Sequence, residues 1–497
     1  MTVASPGVQQ FNFLLTPMRI SCLLPLLLTL LPARLSAQDA NYWSSSYGPA
    51  GYFMPGSVIS QNRDSGVMFY NPALLVNTAT STTSISGTIY QYQSLVYPDG
   101  IGTGLRLKSQ GASIIPMVAS RAVPVKKKLP FTLAFAIVHN PVIDYGVTQQ
   151  KDVVQDVLDN SYSPGPETFI GQYKAANRID QTAVQLGAGW RAGKKLSLGI
   201  TAEGVVQRQS FTVDYIARAM MNPAGPDTLL APITTVSEDY TASYWQVGLR
   251  AKLGMAWEIA RNHHAGLVFT TPVLKTAGKG TAISNVQISN LYLTPAAGLN
   301  LLASSRQAKL PSHWKNPLSI AAGYTYMHRK GQLYVAAEYF AAIKAHSVLQ
   351  PRPAAFIRPD TGSNATSAEF LQLKDERSAV INCGIGASYL VAEDLTLFAS
   401  LRTDFSYARK NRRALTEGYN IYITNWDLYH MQLGANMRRK RYNLRTGLML
   451  TYGGTNNYPQ TINFDHPNED NFLLGDPGVT PGRTLQAGVL VSYIHNF

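Results

Sequence analysis

The chain has 497 residues, of which 45% are hydrophobic and only 14% charged, well below the ~25% charged residues usual in a soluble domain. Lys and Arg exceed Asp and Glu by 43 to 29, a formal net charge of +14. These cations are scattered among candidate turns and strand faces, which argues against nucleic acid; contact with anionic lipopolysaccharide is the milder expectation.

In chain order, Met18-Arg19 is followed by the apolar run Ile20–Leu31 and then by Ala33-Arg34-Leu35-Ser36-Ala37-Gln38. A cation, about a dozen apolar residues and small residues before a cut describe a secretory signal peptide, and the run is shorter than the ~20 residues that span a bilayer. Cleavage is expected after Ala37, giving a signal peptide over 1–37, and Met18 is an alternative start. Cys22 precedes the apolar core, which argues against a lipid anchor. Removal of 1–37 leaves Cys383 as the one cysteine, so no intramolecular disulfide is expected.

Residues 38–81 fit no strand. They are rich in aromatics, with Tyr42, Trp43, Tyr47, Tyr52, Phe53, Phe69 and Tyr70. Asp64-Ser65 is positioned to cap a short helix through Phe69, which Pro72 should stop. A soluble domain of this size would be too small to be stable alone. A plug packed inside a larger barrel resolves that difficulty.

From residue 82 onward, alternation bounded by Gly, Pro, Asn and charge marks strands. Tyr442–Gly453 puts Tyr442, Leu444, Leu448, Leu450 and Tyr452 on one face and Asn443, Arg445 and Thr451 on the other. Tyr244–Trp257 puts Trp245, Leu249, Leu253 and Trp257 opposite Gln246, Arg250 and Lys252. Trp near both ends of an apolar face is what two interfacial aromatic girdles produce. The pattern gives about fourteen strands: 82–93, 111–121, 129–139, 178–192, 194–212, 240–257, 263–274, 315–328, 330–346, 378–391, 393–408, 425–439, 441–455 and 483–497. Short connections such as Gly193-Lys194, Ala260–Asn262, Arg329-Lys330 and Lys440 alternate with long ones: Asn140–Asn177, Val213–Asp239, Lys275–Trp314, Ser347–Arg377 and Asn456–Gly482. Short turns on one side and long loops on the other are expected of an all-β, antiparallel transmembrane barrel. The last strand, Leu485–Phe497, shows Leu485, Val489, Tyr493 and Phe497 on one face and is expected to close that barrel.

The segment Gly48…Gly56…Asp64-Ser65…Tyr70-Asn71-Pro72-Ala73…Leu75 resembles the amino-terminal hatch of the FadL family of outer-membrane long-chain fatty acid transporters. Asn71, Pro72 and Ala73 match that family's hatch motif residue for residue. Leu253–Trp257, Gly266–Pro272 with Gly278–Gly280, and Leu310-Pro311 before Leu318–Tyr326 resemble the family as well. The resemblance implies a hatch over 38–81 inside a barrel over 82–497, in a bacterial outer membrane. It also implies capture of a hydrophobic ligand by outer loops and a sideways exit where the wall is interrupted.

Two of those loops are unusually apolar. Met220, Met221, Leu229 and Leu230 lie in one; Leu291, Leu293, Leu301 and Leu302 lie in the other, making them candidates for ligand capture, with mutual cover as the plainer alternative. Glu203, Arg250, Glu338, Arg402, Asp404 and Arg445 fall on the lumen face. They would line a path or, the favoured reading, form an ion-pair network that packs the plug against the wall, with Glu203 and Arg250 able to pair across neighbouring strands. His263-His264 lacks partners at ligand spacing, so no metal is expected. No nucleophile elbow, paired carboxylates or cofactor motif appears, which points away from an enzyme.

The expected function is passive, hatch-gated transport of hydrophobic or amphipathic molecules such as long-chain fatty acids, without a cofactor. The main alternative is a FadL-like accessory or cargo shuttle of the type IX secretion system, with secretion proteins as partners. A porin for polar solutes is a third reading, against which the plug argues.

Overall fold

A computed structural model of the protein describes residues 41–43, 59–60, 65–78, 82–124, 131–222, 231–294, 297–359, 368, 371–408, 419–420 and 424–496. The expected signal peptide, Gly48, Gly56, Asp64, Leu229, Leu230 and Phe497 lie outside these residues.

β1 (Thr82–Tyr97), β2 (Leu107–Pro124), β3 (Phe131–Gln155), β4 (Glu167–Arg191), β5 (Leu196–Met220) and β6 (Ile233–Ala260) run as successive antiparallel neighbours. β7 (His263–Thr270) returns along the end of β6. The chain then breaks at Thr271–Val273 and resumes as β8 (Leu274–Thr294), which pairs with the other half of β6 and forms a hairpin with β9 (Ala297–Pro311). β10 (Ser319–His328) pairs back with β7, and β11 (Gly331–Phe340) follows. β12 (Ile343–Leu349), β13 (Ile357–Arg358) and β14 (Leu373–Arg377) belong to the loops. β15 (Val380–Ala392) and β16 (Leu395–Asp404) rejoin the wall. β17 (Tyr419–Asn420) adds to a three-stranded sheet with β12 and β14. β18 (Leu428–Arg438), β19 (Tyr442–Pro459) and β20 (Val479–Asn496) complete the wall, and β20 pairs with β1 from Thr82↔Asn496 to Val96↔Arg483. The result is a closed antiparallel barrel of fourteen strands. All fourteen strands expected from the sequence are in it.

The long connections differ from expectation. Asn140–Asn177 is mostly strand, because β3 runs on to Gln155 and β4 begins at Glu167. Val213–Asp239 likewise carries the ends of β5 and β6, and Lys275–Trp314 is the β8–β9 hairpin. The cause is an inversion of the pattern along each strand. Near the turns, β3 shows Leu133, Phe135 and Ile137 outward and Ala134, Ala136 and Val138 inward. A bulge at Pro141/Ile143 shifts its register, after which Asp144 and Thr148 face out while Tyr145 and Val147 are buried. β5 changes without a bulge: Ile200 is exposed on the same face as Arg208, while buried Phe211, Val213 and Tyr215 continue the inward row of Thr201 and Glu203. Arg208 stands opposite Trp245, which marks the same level on β6.

Beyond that level the inward side chains form a core that caps the barrel. Tyr97 meets Trp426 and Tyr458 edge-on or tilted, and Phe169 meets Phe464. Glu238 is buried there and accepts hydrogen bonds from the hydroxyls of Tyr215 and Tyr419. Burial pushes its carboxyl up, and the two hydroxyl bonds oppose the rise.

Candidate functional site

Inside the barrel lie the described residues of the amino-terminal segment, folded as two short 3-10 turns, Ser65–Phe69 and Pro72–Asn77. Pro72 ends the first turn, as its lack of an N–H requires, but it also begins the second. Proline suits a first helical position because that N–H would be unpaired in any case. Asn71 caps this turn: its Oδ1 accepts from the Ala73 N–H at 3.0 Å. Its Nδ2 donates to the carbonyls of Ile59 at 2.6 Å and Met255 at 3.0 Å. One fully buried side chain thus ties together two parts of the lumenal segment and the wall strand β6.

The wall makes room for this turn with glycine. Gly189, Gly199 and Gly254 stand side by side on β4, β5 and β6. A side chain at any of them would collide with the backbone of Pro72-Ala73 or with Asn71 and Pro72. No local pattern in the sequence announces the notch. Its only trace there is a glycine at an inward position of three consecutive strands.

Two charged clusters hold the segment. In the first, Glu203 of β5 pairs with Arg250 and, at 3.3 Å, with Lys252 of β6, and accepts a hydrogen bond from Gln185. Lys252 donates to the Phe69 carbonyl at 2.7 Å and sits 4.0 Å from the centre of the Phe69 ring. In the second, Asp404 Oδ1 accepts from the N–H groups of Tyr42 at 3.1 Å and Trp43 at 2.9 Å and from Asn382 at 2.9 Å. The Asp404 carbonyl accepts from Asn41 at 2.6 Å, and Glu338 accepts from the Trp43 indole at 2.8 Å. Buried charges are costly unless partnered, and here the partners include the lumenal backbone itself. Five of the six lumen charges named from the sequence therefore lie at this level. Arg402 lines the cavity described below, whereas Arg445 sits near the turns beside Asn436. His430 is buried on β18, bonded to Thr451 at 2.7 Å.

Between the lumenal segment and the cap is a cavity of about 200 Å³. Trp43, Phe69 and Tyr70 face Val138, Ile179 and Val268 across it, and Arg250 and Arg402 add charge. The cavity abuts a gap in the wall. β2 and β3 pair only from Val118↔Val138 to Pro124↔Thr132. Farther from the turns each pairs with its other neighbour alone, and the two edges meet again where the Gly146 N–H donates to the Ser109 hydroxyl at 3.2 Å and the Gln149 amide donates to the Arg106 carbonyl at 3.0 Å.

The apolar loop residues do not form one surface. Met221, Leu291 and Leu301 are buried in the cap core. Met220, Leu293 and Leu302 are exposed on its outside. Among the described residues no cluster of His, Cys, Asp or Glu could hold a metal ion.

These features define a closed fourteen-stranded barrel with a latched segment in its lumen. The same fold occurs in a FadL homologue of Pseudomonas aeruginosa, 13% identical over 92% of this chain and 100% of that one, with a TM-score of 0.56. The toluene transporter TodX of Pseudomonas putida is 12% identical over 93% and 99% of the two chains, TM-score 0.54. The toluene transporter TbuX of Ralstonia pickettii is 12% identical over 91% and 98%, TM-score 0.53. No family model and no curated protein sequence matches the chain.

Proposed function

We propose that this protein is a bacterial outer-membrane transporter that passes hydrophobic or amphipathic small molecules, long-chain fatty acids among them, by passive diffusion. The observation that carries this reading is the cavity between cap and lumenal segment, whose lining reaches Val138, where the β2–β3 pairing ends and the gap begins. A ligand there is shielded from water and has a sideways route through the wall, which suits a molecule that crosses lipopolysaccharide poorly. The exposed apolar bands on the outside of the strands support membrane insertion, and the short turns then face the periplasm. The lumenal segment, taken as 38–81, acts as the hatch, with Asn71–Ala73 as its pivot against the glycine notch.

The test is binding of a fluorescent long-chain fatty acid to the purified barrel in nanodiscs, beside a variant lacking Asn71–Ala73. Saturable binding, displaced by unlabelled fatty acid and weakened by the deletion in an assembled barrel, is the expected result. No binding above empty nanodiscs, together with stoichiometric secretion proteins retained in a mild extract, would replace this reading with the secretion-accessory one.

A further inference from the structure

On the outward face of β4, β5, β6, β8 and β9 lies a recess of about 780 Å³, at the level where the apolar band gives way to polar side chains. Arg208, Trp245 and Lys279 stand directly opposite one another across β5, β6 and β8. Neighbouring strands lie about 4.8 Å apart, so the two cations flank the indole in one row. Arg178 of β4 and Lys309 of β9 border the recess on either side, and all four cations are exposed.

Lys309 sits at a bulge. The β8–β9 register shifts between Gly280 and Ala282, and Lys309 adopts φ 58°, a left-handed conformation uncommon for a residue with a side chain. Among the described residues the recess has one carboxylate, Asp180, which pairs with Arg178 at 3.1 Å. That pair leaves 66% of the Arg178 side chain exposed. The outward acids beyond it, Asp214 and Asp239, stand farther along β5 and β6, about 20 Å from the row. Cations therefore dominate the recess.

On the turn side of the row the surface is apolar. Val206 and Val247 form the floor, and Val184, Leu249 and Leu274 continue it into the exposed band. A Trp at the edge of such a band marks the boundary between lipid and head groups. The occupant that fits has acyl chains along the band and an anionic head at the cations. Guanidinium and ammonium groups together suit phosphate. With the short turns toward the periplasm, the row falls in the outer leaflet.

We propose that this recess binds the phosphorylated head group of lipopolysaccharide, with acyl chains lying on the apolar band beneath it. The site is separate from the central cavity, whose lining includes none of these side chains. Of the transport reading it uses only the orientation of the barrel.

The test is retention of lipid A by the barrel in detergent, read by native mass spectrometry, beside lipid A stripped of its phosphates. The phosphorylated form should bind about tenfold or more tightly. Equal affinity for the two forms would overturn the proposal with the parent protein alone. The combined substitution Arg208→Gln, Lys279→Gln and Lys309→Gln should remove the preference in a barrel that still migrates as a folded species. A preference kept in full by that variant would overturn the assignment to this recess. Lys194→Gln with Lys195→Gln, at a turn, should leave the preference intact; an equal loss there would overturn the site in favour of diffuse charge. Inorganic phosphate displacing lipid A at equal concentration would overturn the lipid in favour of a plain anion site. Phosphatidylglycerol displacing it equally well would overturn lipopolysaccharide in favour of any anionic lipid. Fatty acid binding in nanodiscs tests the transport reading separately, so the failure of either is distinguishable from the failure of the other.

Discussion

The same strands behave in opposite ways at their two ends. Near the turns the wall presents Leu448, Leu450 and Tyr452 outward, and on β6 Leu249 and Leu253. Its lumen side there mixes small or apolar residues such as Ala134, Ala136 and Met449 with polar ones such as Thr201 and Thr451. Past the level of Arg208 and Trp245 the arrangement reverses. Phe211, Tyr215 and Tyr240 turn inward to form a dry core, and Arg208, Thr212 and Asp214 face outward. The backbone ladder is indifferent to the change, since β4 and β5 pair without interruption from Arg191↔Ser197 to Thr168↔Met220. The solvent explains the reversal: a strand in lipid must be apolar outside, and one in water must be apolar inside.

Four experiments would break or sharpen this contrast. The largest effect is expected from Phe211→Ala, which empties a fully buried site in the cap and should cost about 3–5 kcal/mol. Amide exchange should rise along the outer halves of β5 and β6 while the lower wall stays protected; uniform exchange along both strands would erase the distinction between the two regions. Next is a pair of substitutions on the outward face. Leu448→Arg in the apolar band should cost about 2–4 kcal/mol, whereas Thr148→Arg, outward in the cap, should stay within about 0.5 kcal/mol. Denaturant midpoints in lipid vesicles would decide, and equal penalties would contradict the assignment of the two solvents.

Lys252→Met addresses the lumen between the regions. It removes the donor to the Phe69 carbonyl and one partner of Glu203, for about 1–3 kcal/mol. Proteolysis should then reach the lumenal segment in an assembled barrel; protection equal to the parent would show the latch to be held elsewhere.

The smallest effect is one of pH, confined to the cap. Burial, aided by the neighbouring charges of Asp159 and Asp470 and opposed by the Asp159 N–H, pushes Glu469 up to about 7. A carboxyl raised on folding favours the folded loop while it holds its proton, and that contribution is lost as pH climbs from the ordinary carboxylate range through about 7. Exchange at Asp159, whose N–H donates to Glu469, should therefore increase between pH 5 and 8 beyond the intrinsic rate, and Glu469→Gln should flatten the profile.

How far the sequence could be read follows from the same contrast. In the lipid belt every outward position must be apolar, so the period-two signal of segments such as Tyr442–Gly453 located the wall strands and their number. Glu203 and Arg250 were legible as a pair because both lie on lumen faces of consecutive strands. The outer halves of β3 to β6 were read as loops because their apolar residues had changed sides, and the reading followed the apolar outer face. Met221, Leu291 and Leu301 looked like exposed capture residues for the same reason, and packing placed them in the cap core.

By itself, then, the sequence determined the antiparallel wall and its fourteen strands, since both depend on local alternation. The glycine notch, the two latches and the β2–β3 gap were decided by tertiary structure. Each joins residues far apart in the chain, such as Asn71 with Met255 or Trp43 with Asp404. Which distant residues meet is set by the curvature and register of the closed barrel, and no local pattern encodes either.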